Sequence, residues 1–259
     1  MRRILCLIAL SAALCACSVK ENRSVCPCEL TVRSAEALSS KGNVLVSVIQ
    51  DGVVVKQGMM SRDDFERDGC ILTVPRKPST VTVFTGITEM NTVSGRTLGI
   101  REDNQCDELY SGSAEVLPLA DTCLCTVFPH KNYASLFLEV IGMPKGGTVK
   151  VVGKVRGYDL MDLSPSGGYF AFAPDESADG LFKCVLRLPR QVDDSLVLEV
   201  LRDGEVIQTI EAGKLILESG YSFEEENLPD IMLTVDLTRS AAIIRVADWE
   251  ESDSVVQNI

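Results

Sequence analysis

Short apolar runs separated by turn residues dominate the chain from residue 29 onward. Asp51-Gly52 and Asp203-Gly204 are two-residue signals for type I′ turns, and each predicts a hairpin. Helical periodicity is weak, with a single turn expected within 61–68. The pattern is typical of antiparallel β-sandwiches. It predicts strands at 30–32, 44–50, 53–56, 70–74, 81–84, 134–141, 148–155, 182–188, 196–201, 206–210, 232–237 and 242–246.

A weak internal repeat divides the chain. Residues 72–76 (LTVPR) match residues 186–190 (LRLPR) at an offset of 114 residues, about one small domain. We therefore predict two sandwich domains, residues 26–128 and 129–259. A competing match sets residues 44–56 on residues 196–208 around the two Asp-Gly turns, but its offset of 152 leaves too little room for a second copy. Reuse of hairpins without duplication is the remaining alternative.

The first 16 residues have the composition of an export signal. Arg2 and Arg3 precede an uncharged apolar run at 4–14, which is too short to remain as a spanning helix. The sequence at 14–17, LCAC, resembles a bacterial lipobox, which implies cleavage after residue 16 and acylation of Cys17. Residues 17–25 would then be a polar, lipidated tether. The alternatives are an ordinary cleaved signal or cleavage before Cys15.

Composition excludes some classes of partner. The chain has 25 basic and 37 acidic residues, a formal net charge of −12. An acidic surface repels nucleic acid and anionic lipid headgroups, so we expect neither as a partner. Aromatic residues are only 5% of the chain, with a single tryptophan, which disfavours an aromatic glycan-binding platform.

Catalytic motifs are missing from the sequence. His130 is the only histidine and lies in the segment FPHK at 128–131, where we expect a solvated loop residue and no catalytic base. No phosphate-binding glycine loop, HExxH or EF-hand pattern occurs. The carboxylates follow no spacing that would mark a glycosidase pair. We therefore expect a non-enzymatic protein without a cofactor or a metal ion.

Seven cysteines follow Cys17, and export would place them in an oxidising compartment. Cysteines two apart in a strand share a face but rarely bond to each other. We predict bridges from Cys26 and Cys28 to two partners among a set of four, with Cys184 free in the core. A zinc site built by the two C-x-C pairs is disfavoured by the short spacing. The four candidate partners are Cys70, Cys106, Cys123 and Cys125.

Short motifs along nearly the whole chain carry a family resemblance. The motifs and their order along the chain resemble those of FimB-type fimbrial subunits of Bacteroidales, the anchor branch of type V pili. The motifs after the lipobox are Cys26-Pro27-Cys28 with Leu30-Thr31-Val32, Val74-Pro75-Arg76, Asp107-Glu108-Leu109-Tyr110, Gly157-Tyr158-Asp159-Leu160, Leu188-Pro189-Arg190-Gln191, Gly220-Tyr221-Ser222-Phe223, and Ile244-Arg245-Val246 with Trp249.

The resemblance implies two transthyretin-like sandwich domains, transport to the outer membrane and a place at the base of a fimbrium. Subunits of such fibres join when a strand of one completes a sheet of another, so the expected partner is a fimbrial shaft subunit. Shaft pilins of the family lose an N-terminal strand after an arginine. Arg33 is the candidate here, and an anchor should keep that strand. We expect residues 254–259 to pair with a groove in the neighbouring subunit. The alternative function is a surface lipoprotein that binds glycans or proteins, including a fimbrial tip subunit.

Overall fold

The computed structural model describes residues 24–174 and 180–239, together with the backbone of 241–247 and 255–258. The predicted signal at 1–16 and the predicted lipidation site, Cys17, lie outside the described residues. The described residues include two short helices: α1 is Arg62–Asp68 and α2 is Ala212–Glu218. No helix among the described residues is long and apolar enough to cross a bilayer.

Nineteen strands account for most of the described chain. In chain order they are β1 Pro27–Ser34, β2 Asn43–Gln50, β3 Val53–Met60, β4 Cys70–Pro75, β5 Ser79–Ile87, β6 Asn91–Ser94, β7 Thr97–Ile100, β8 Tyr110–Val116, β9 Thr122–Val127, β10 His130–Lys131, β11 Tyr133–Met143, β12 Gly147–Asp159, β13 Pro165–Phe172, β14 Gly180–Pro189, β15 Val197–Arg202, β16 Glu205–Ile210, β17 Asp230–Asp236, β18 Ala241–Ala247 and β19 Val255–Asn258.

The first sandwich consists of a three-stranded and a five-stranded sheet. The strand orders are β4-β1-β9 and β10-β8-β5-β2-β3. Its core comes from the inward residues of both sheets, with Val46 and Val81 facing Leu30 and Val32 from the other layer. The β2–β3 hairpin turns at Asp51 (φ 53°) and Gly52 (φ 73°), the two positive φ angles that a type I′ turn requires.

The second sandwich repeats the topology of the first. β11 pairs antiparallel with β14 and parallel with β17, as β1 pairs with β4 and β9. In the other sheet β12 lies between β13 and β15, as β2 lies between β3 and β5. The predicted all-β, two-sandwich fold is therefore confirmed, and the 114-residue repeat matches β4 to β14. Each sandwich also has one parallel strand pair, which the antiparallel prediction did not include.

An excursion between β5 and β8 crosses from the first sandwich to the second. β7 pairs with the C-terminal part of β12 at Gly157–Asp159, and β6 pairs with β7. Cys106 and Leu109 are fully buried in the core of the second sandwich. Residues 91–109 therefore belong with the second sandwich, although the predicted boundary at 128 assigned them to the first.

The apolar core of the second sandwich extends onto the outer face of one sheet of the first, while the first sandwich keeps a separate core of its own. Leu45, Phe84 and Ile87 of the first sandwich join the core cluster of the second. The Phe84 and Tyr158 rings lie 5.7 Å apart, and the Thr82 hydroxyl donates a 2.6 Å hydrogen bond to the carbonyl oxygen of Leu160. Because these residues are buried, the second sandwich is packed firmly on one sheet of the first.

Candidate functional site

Strand β1 is the centre of its sheet and not an edge. It makes six register pairs with β4 on one side and six with β9 on the other. Its inward side chains Cys28, Leu30 and Val32 are fully buried. Because β4 and β9 do not pair with each other, removing β1 would open a groove the width of one strand between them.

Arg33 lies inside β1. It is paired with Thr126 of β9, and its guanidinium donates a 3.4 Å hydrogen bond to the carbonyl oxygen of Asp68 at the end of α1. The sequence had placed this arginine just beyond a short strand at 30–32. The structure extends that strand through Ser34, so the peptide bond after Arg33 is part of the sheet.

Arg76 fixes the start of β1. Its Nε donates to the carbonyl oxygen of Pro27 at 3.2 Å, its backbone N–H donates to the carbonyl oxygen of Cys26, and its guanidinium pairs with Asp121. The backbone N–H of Glu29 donates to the carbonyl oxygen of Asp121 at 2.8 Å. The point at which the chain arrives from Cys17 is therefore tied to both flanking strands.

The C-terminal strand β19 pairs within its own chain. It lies antiparallel on β18, from Val255 opposite Ile244 to Asn258 opposite Ala241. Residues 254–259 were expected to occupy a neighbouring subunit, but in this structure the described part of that segment, Val255–Asn258, covers the β18 edge. Since β19 has four register pairs and one neighbouring strand, it is held by far fewer backbone hydrogen bonds than β1.

The seven described cysteines are free thiols. Cys28 of β1 is buried, and burial followed by the nearby Cys123 thiol raises its pKa. Cys123 lies opposite Leu30, two residues along from Cys28. Cys70 and Cys125 both lie opposite Val32, on its two sides, so their Cα atoms are roughly 10 Å apart. That separation exceeds disulfide reach of about 7 Å.

The structure places Cys106 and Cys184 differently from the sequence-based prediction. Cys106 is fully buried in the second sandwich, so it is not one of the thiols that can bridge to β1. Cys184 alternates inward with Phe182 and Leu186 as predicted, but it is only half-buried. Burial raises the pKa of the Cys184 thiol to about 11. Among the described side chains, no group of three His, Cys, Asp or Glu residues is placed to hold a metal ion.

His130 lies at the junction of the sandwiches. It begins the two-residue strand β10 opposite Ser111, and its Nε2 is 2.9 Å from a carboxylate oxygen of Glu226. The half-buried ring lines two cavities of about 280 and 660 Å³, which share the exposed ring of Phe128. His130 therefore lies in a short strand beside a carboxylate, where the sequence predicted a solvated loop.

A half-buried arginine closes the wall of the larger cavity. Arg190 Nε donates to Asn132 Oδ1 at 2.6 Å, and its terminal nitrogens donate to the carbonyl oxygens of Phe223, Glu225 and Glu226. Burial lowers the pKa of its guanidinium. No local sequence signal identified this clamp, because its acceptors are backbone carbonyls more than thirty residues away.

The arrangement of the strands matches several solved structures. No family profile and no curated protein matches the sequence. The fimbrial anchor protein Mfa2 from Porphyromonas gingivalis is similar with a TM-score of 0.62 and 12% identity, over 86% of this chain and 98% of that chain. The chain has the fold of Mfa2.

Two further structures share this fold. A candidate polysaccharide-binding protein from Bacteroides thetaiotaomicron has a TM-score of 0.61 and 12% identity, over 90% of this chain and 98% of that chain. A candidate adhesin from the same species has a TM-score of 0.59 and 14% identity, over 88% of this chain and 96% of that chain. At these identities the Mfa2 fold is shared, while the binding partners named for the three proteins belong to those proteins alone.

Proposed function

We propose that this protein is a lipid-anchored outer-membrane fimbrial subunit, the base that attaches a fimbrium to the cell and limits its length. The observation that carries the proposal is the position of β1. The strand that follows the lipidation site at Cys17 is the central strand of a sheet and is fully buried on one face. A lipid on Cys17 would thus be joined to the core of the protein through a short tether.

The same strand explains why a fibre would end at this subunit. While β1 is in place, the position between β4 and β9 is occupied, so no strand from another subunit can enter there. The weakly held β19 can leave the β18 edge and complete a sheet in a shaft subunit. A subunit that donates a strand but accepts none permits growth in one direction only.

Deletion of the gene tests this role. We expect fimbriae that are longer than normal and are shed into the medium, as measured by electron microscopy and by assay of the culture supernatant. Wild-type protein should restore attached fimbriae of normal length. Cys17→Ala should be lost from the outer-membrane fraction and fail to restore attachment. Attached fimbriae of normal length in the deletion strain would overturn the proposal.

Removal of residues 255–259 tests strand donation. We expect the truncated protein to keep its lipid and its fold, because β19 adds one strand to a preformed sheet edge. It should no longer co-purify with the shaft subunit after mild detergent extraction. Retention of the shaft subunit by the truncated protein would exclude β19 as the donor strand.

A binding module is the second candidate function, and one observation favours it. The cavities beside His130 share Phe128, an aromatic ring that is 59% exposed, and sugars stack on such rings. Glycan-array binding that is lost in Phe128→Ser would support this function. Tyr169→Ser is the matched control, because Tyr169 is also 59% exposed but lies on β13, away from both cavities.

A further inference from the structure

The end of the first sandwich at which β1 begins presents an unusual number of exposed apolar side chains. We call it the proximal end, and it consists of Val25, the turns at 51–53 and 76–78, and the loop at 117–121. Val25 is 78% exposed, Val53 61%, Leu117 52% and Leu119 72%. Leu117 and Leu119 flank the buried Pro118, so the loop holds both leucines outward on a fixed base. Exposed apolar residues grouped in this way mark a contact surface.

The sheet registers place these loops together. β9 runs parallel to β1, so the loop that precedes Thr122 lies beside the start of β1. Pro75 of β4 lies opposite Pro27, and Ser79 of β5 lies opposite Val116 at the end of β8. The loop at 117–121 therefore crosses from one sheet to the other over the same end of the sandwich.

The matching end of the second sandwich is covered. β11 begins at Tyr133, which is buried where the two sandwiches meet, and Asn132 just before it accepts a hydrogen bond from the buried Tyr158 hydroxyl. The first sandwich thus covers the end of the second sandwich at which β11 begins. The equivalent end of the first sandwich, the proximal end, is not covered by any described residue. What lies against the proximal end must come from outside the described chain.

The length and direction of the preceding chain identify the occupant. Only six residues lie between Cys17 and Ser24, where the described chain begins, and the seven Cα–Cα steps span at most about 25 Å when fully extended. If the proposed acylation of Cys17 is correct, on which this inference rests, the proximal end is held close to the bilayer surface. The second sandwich lies at the other end of β1.

Charge at the proximal end is balanced, unlike the charge of the whole chain. Asp121 pairs with Arg76, and Asp51 pairs with Lys77 at 2.8 Å. The segment from Val116 to Ala120 carries no charge. The net charge of −12 predicts repulsion from anionic headgroups, but these paired charges let this end approach a lipid surface with apolar side chains foremost.

We propose that the proximal end is a membrane-contact surface, in which Leu117 and Leu119 insert into the headgroup region while the lipid on Cys17 holds the protein in place. The occupant is the bilayer that carries the lipid anchor. The contact fixes the orientation of the protein, so that the second sandwich projects away from the membrane.

Quenching of a single tryptophan by brominated lipids tests the proposal. The lipidated protein, carrying Trp249→Phe to remove its one natural tryptophan, is reconstituted in vesicles of phosphatidylcholine and phosphatidylethanolamine with or without brominated acyl chains. We expect the fluorescence of Leu119→Trp to fall at least twofold in brominated vesicles. Leu117→Trp serves as the second reporter if Leu119→Trp fails to fold.

Val206→Trp is the matched control. Val206 is 49% exposed, and it follows the β15–β16 turn at the end of the second sandwich that is remote from β1. Its fluorescence should be unchanged by bromination. Equal signals at both positions, or an unquenched reporter in the 117–121 loop of vesicle-bound protein, would overturn the membrane contact. Protein that does not stay on the vesicles at all would refute the lipidation of Cys17 instead.

Discussion

Arg76 and Arg190, which are 114 residues apart, hold equivalent positions in the two sandwiches. Arg76 follows β4, the antiparallel partner of β1, and Arg190 follows β14, the antiparallel partner of β11. Each side chain reaches the segment that precedes the parallel partner strand, which is β9 in the first sandwich and β17 in the second. Arg76 reaches Asp121 before β9, and Arg190 reaches three carbonyl oxygens before β17, those of Phe223, Glu225 and Glu226. The Pro-Arg repeat thus marks a structural brace that both copies have kept.

The two arginines should nevertheless differ in their contribution to stability. Arg190→Met leaves a buried Asn132 and several carbonyl oxygens without their donor, and we expect a loss of about 3 kcal/mol in the free energy of unfolding. Arg76→Met removes an ion pair to the exposed Asp121, and we expect a loss of about 1 kcal/mol. Urea unfolding curves measure both free energies of unfolding, and equal losses would contradict the difference between the buried acceptor Asn132 and the exposed acceptor Asp121.

Arg33 should resist an arginine-specific protease in the folded protein. The peptide bond after it lies in β1 between two neighbouring strands, so it cannot enter a protease cleft without local unfolding. Mass spectrometry of a timed digest should find the bond intact after the exposed Arg239 site has been cut. Protein unfolded in urea is the control, in which Arg33 should be cut readily. A native product that begins at Ser34 would contradict the anchor role.

Gly157 should not tolerate a side chain. A Cβ atom at this position would lie 2.2 Å from the carbonyl oxygen of Leu98 on β7, so Gly157→Ala should force β7 away from β12. We expect a loss of about 2–4 kcal/mol, with a lower midpoint of thermal unfolding. Gly167→Ala is the control, because open space surrounds that position and the change should be nearly neutral.

Alkaline pH should destabilise the first sandwich. Burial raises the pKa of Cys70 and of Cys125 from 9.0 to about 11. The stability that these neutral thiols contribute is fully present below pH 9, and it is lost between pH 9 and pH 11 because the unfolded thiols ionise first. Each group can account for at most about 2.7 kcal/mol. In Cys125→Ala, the free energy of unfolding measured by urea titration should fall less between pH 9 and pH 11. An unchanged pH dependence would contradict the assignment of this loss to the Cys125 thiol.

Oxidation should join Cys28 to Cys123 before any other pair. The two thiols lie on the adjacent strands β1 and β9, and Cys123 is near enough to contribute to the raised pKa of Cys28. Non-reducing peptide mapping of protein exported by its native host should find this bridge, which would staple β1 and add roughly 2–4 kcal/mol. Cys106 should be free in the same map, and a bridge from Cys106 to β1 would contradict the structure.

The sequence predicted the strands that carry strong alternation but not those that depend on their neighbours. Val44–Gln50 and Leu196–Leu201 are recognisable from β-branched and aliphatic residues, and the structure contains them as β2 and β15. β8 and β13 were missed, since YSGSAEV and PSGGYFAF are rich in serine and glycine and gain their order from cross-strand pairing. Helix α2 was missed because its seven residues, AGKLILE, are fewer than the roughly 11 to 18 over which a helical period can be recognised.

The candidate site was predictable only in part. The lipobox and the short 30–32 run indicated a tethered strand, but nothing in that run indicates that β1 lies between β4 and β9. The passage of residues 91–109 to the second sandwich was equally hidden, because local sequence does not specify which sheet a short hairpin joins. Pairings between distant parts of the chain are decided by the packing of the whole molecule.

The two-sided pairing of β1 determines how the protein carries a mechanical load. A fibre under tension would pull the body of the protein away from the membrane, while the lipid anchor would hold the start of β1 at Pro27. The resulting force runs along the strand axis, so the register pairs with β4 and β9 are loaded together in shear and cannot open one after another. Extraction of β1 therefore requires the simultaneous rupture of two ladders and the exposure of Cys28, Leu30 and Val32 to water.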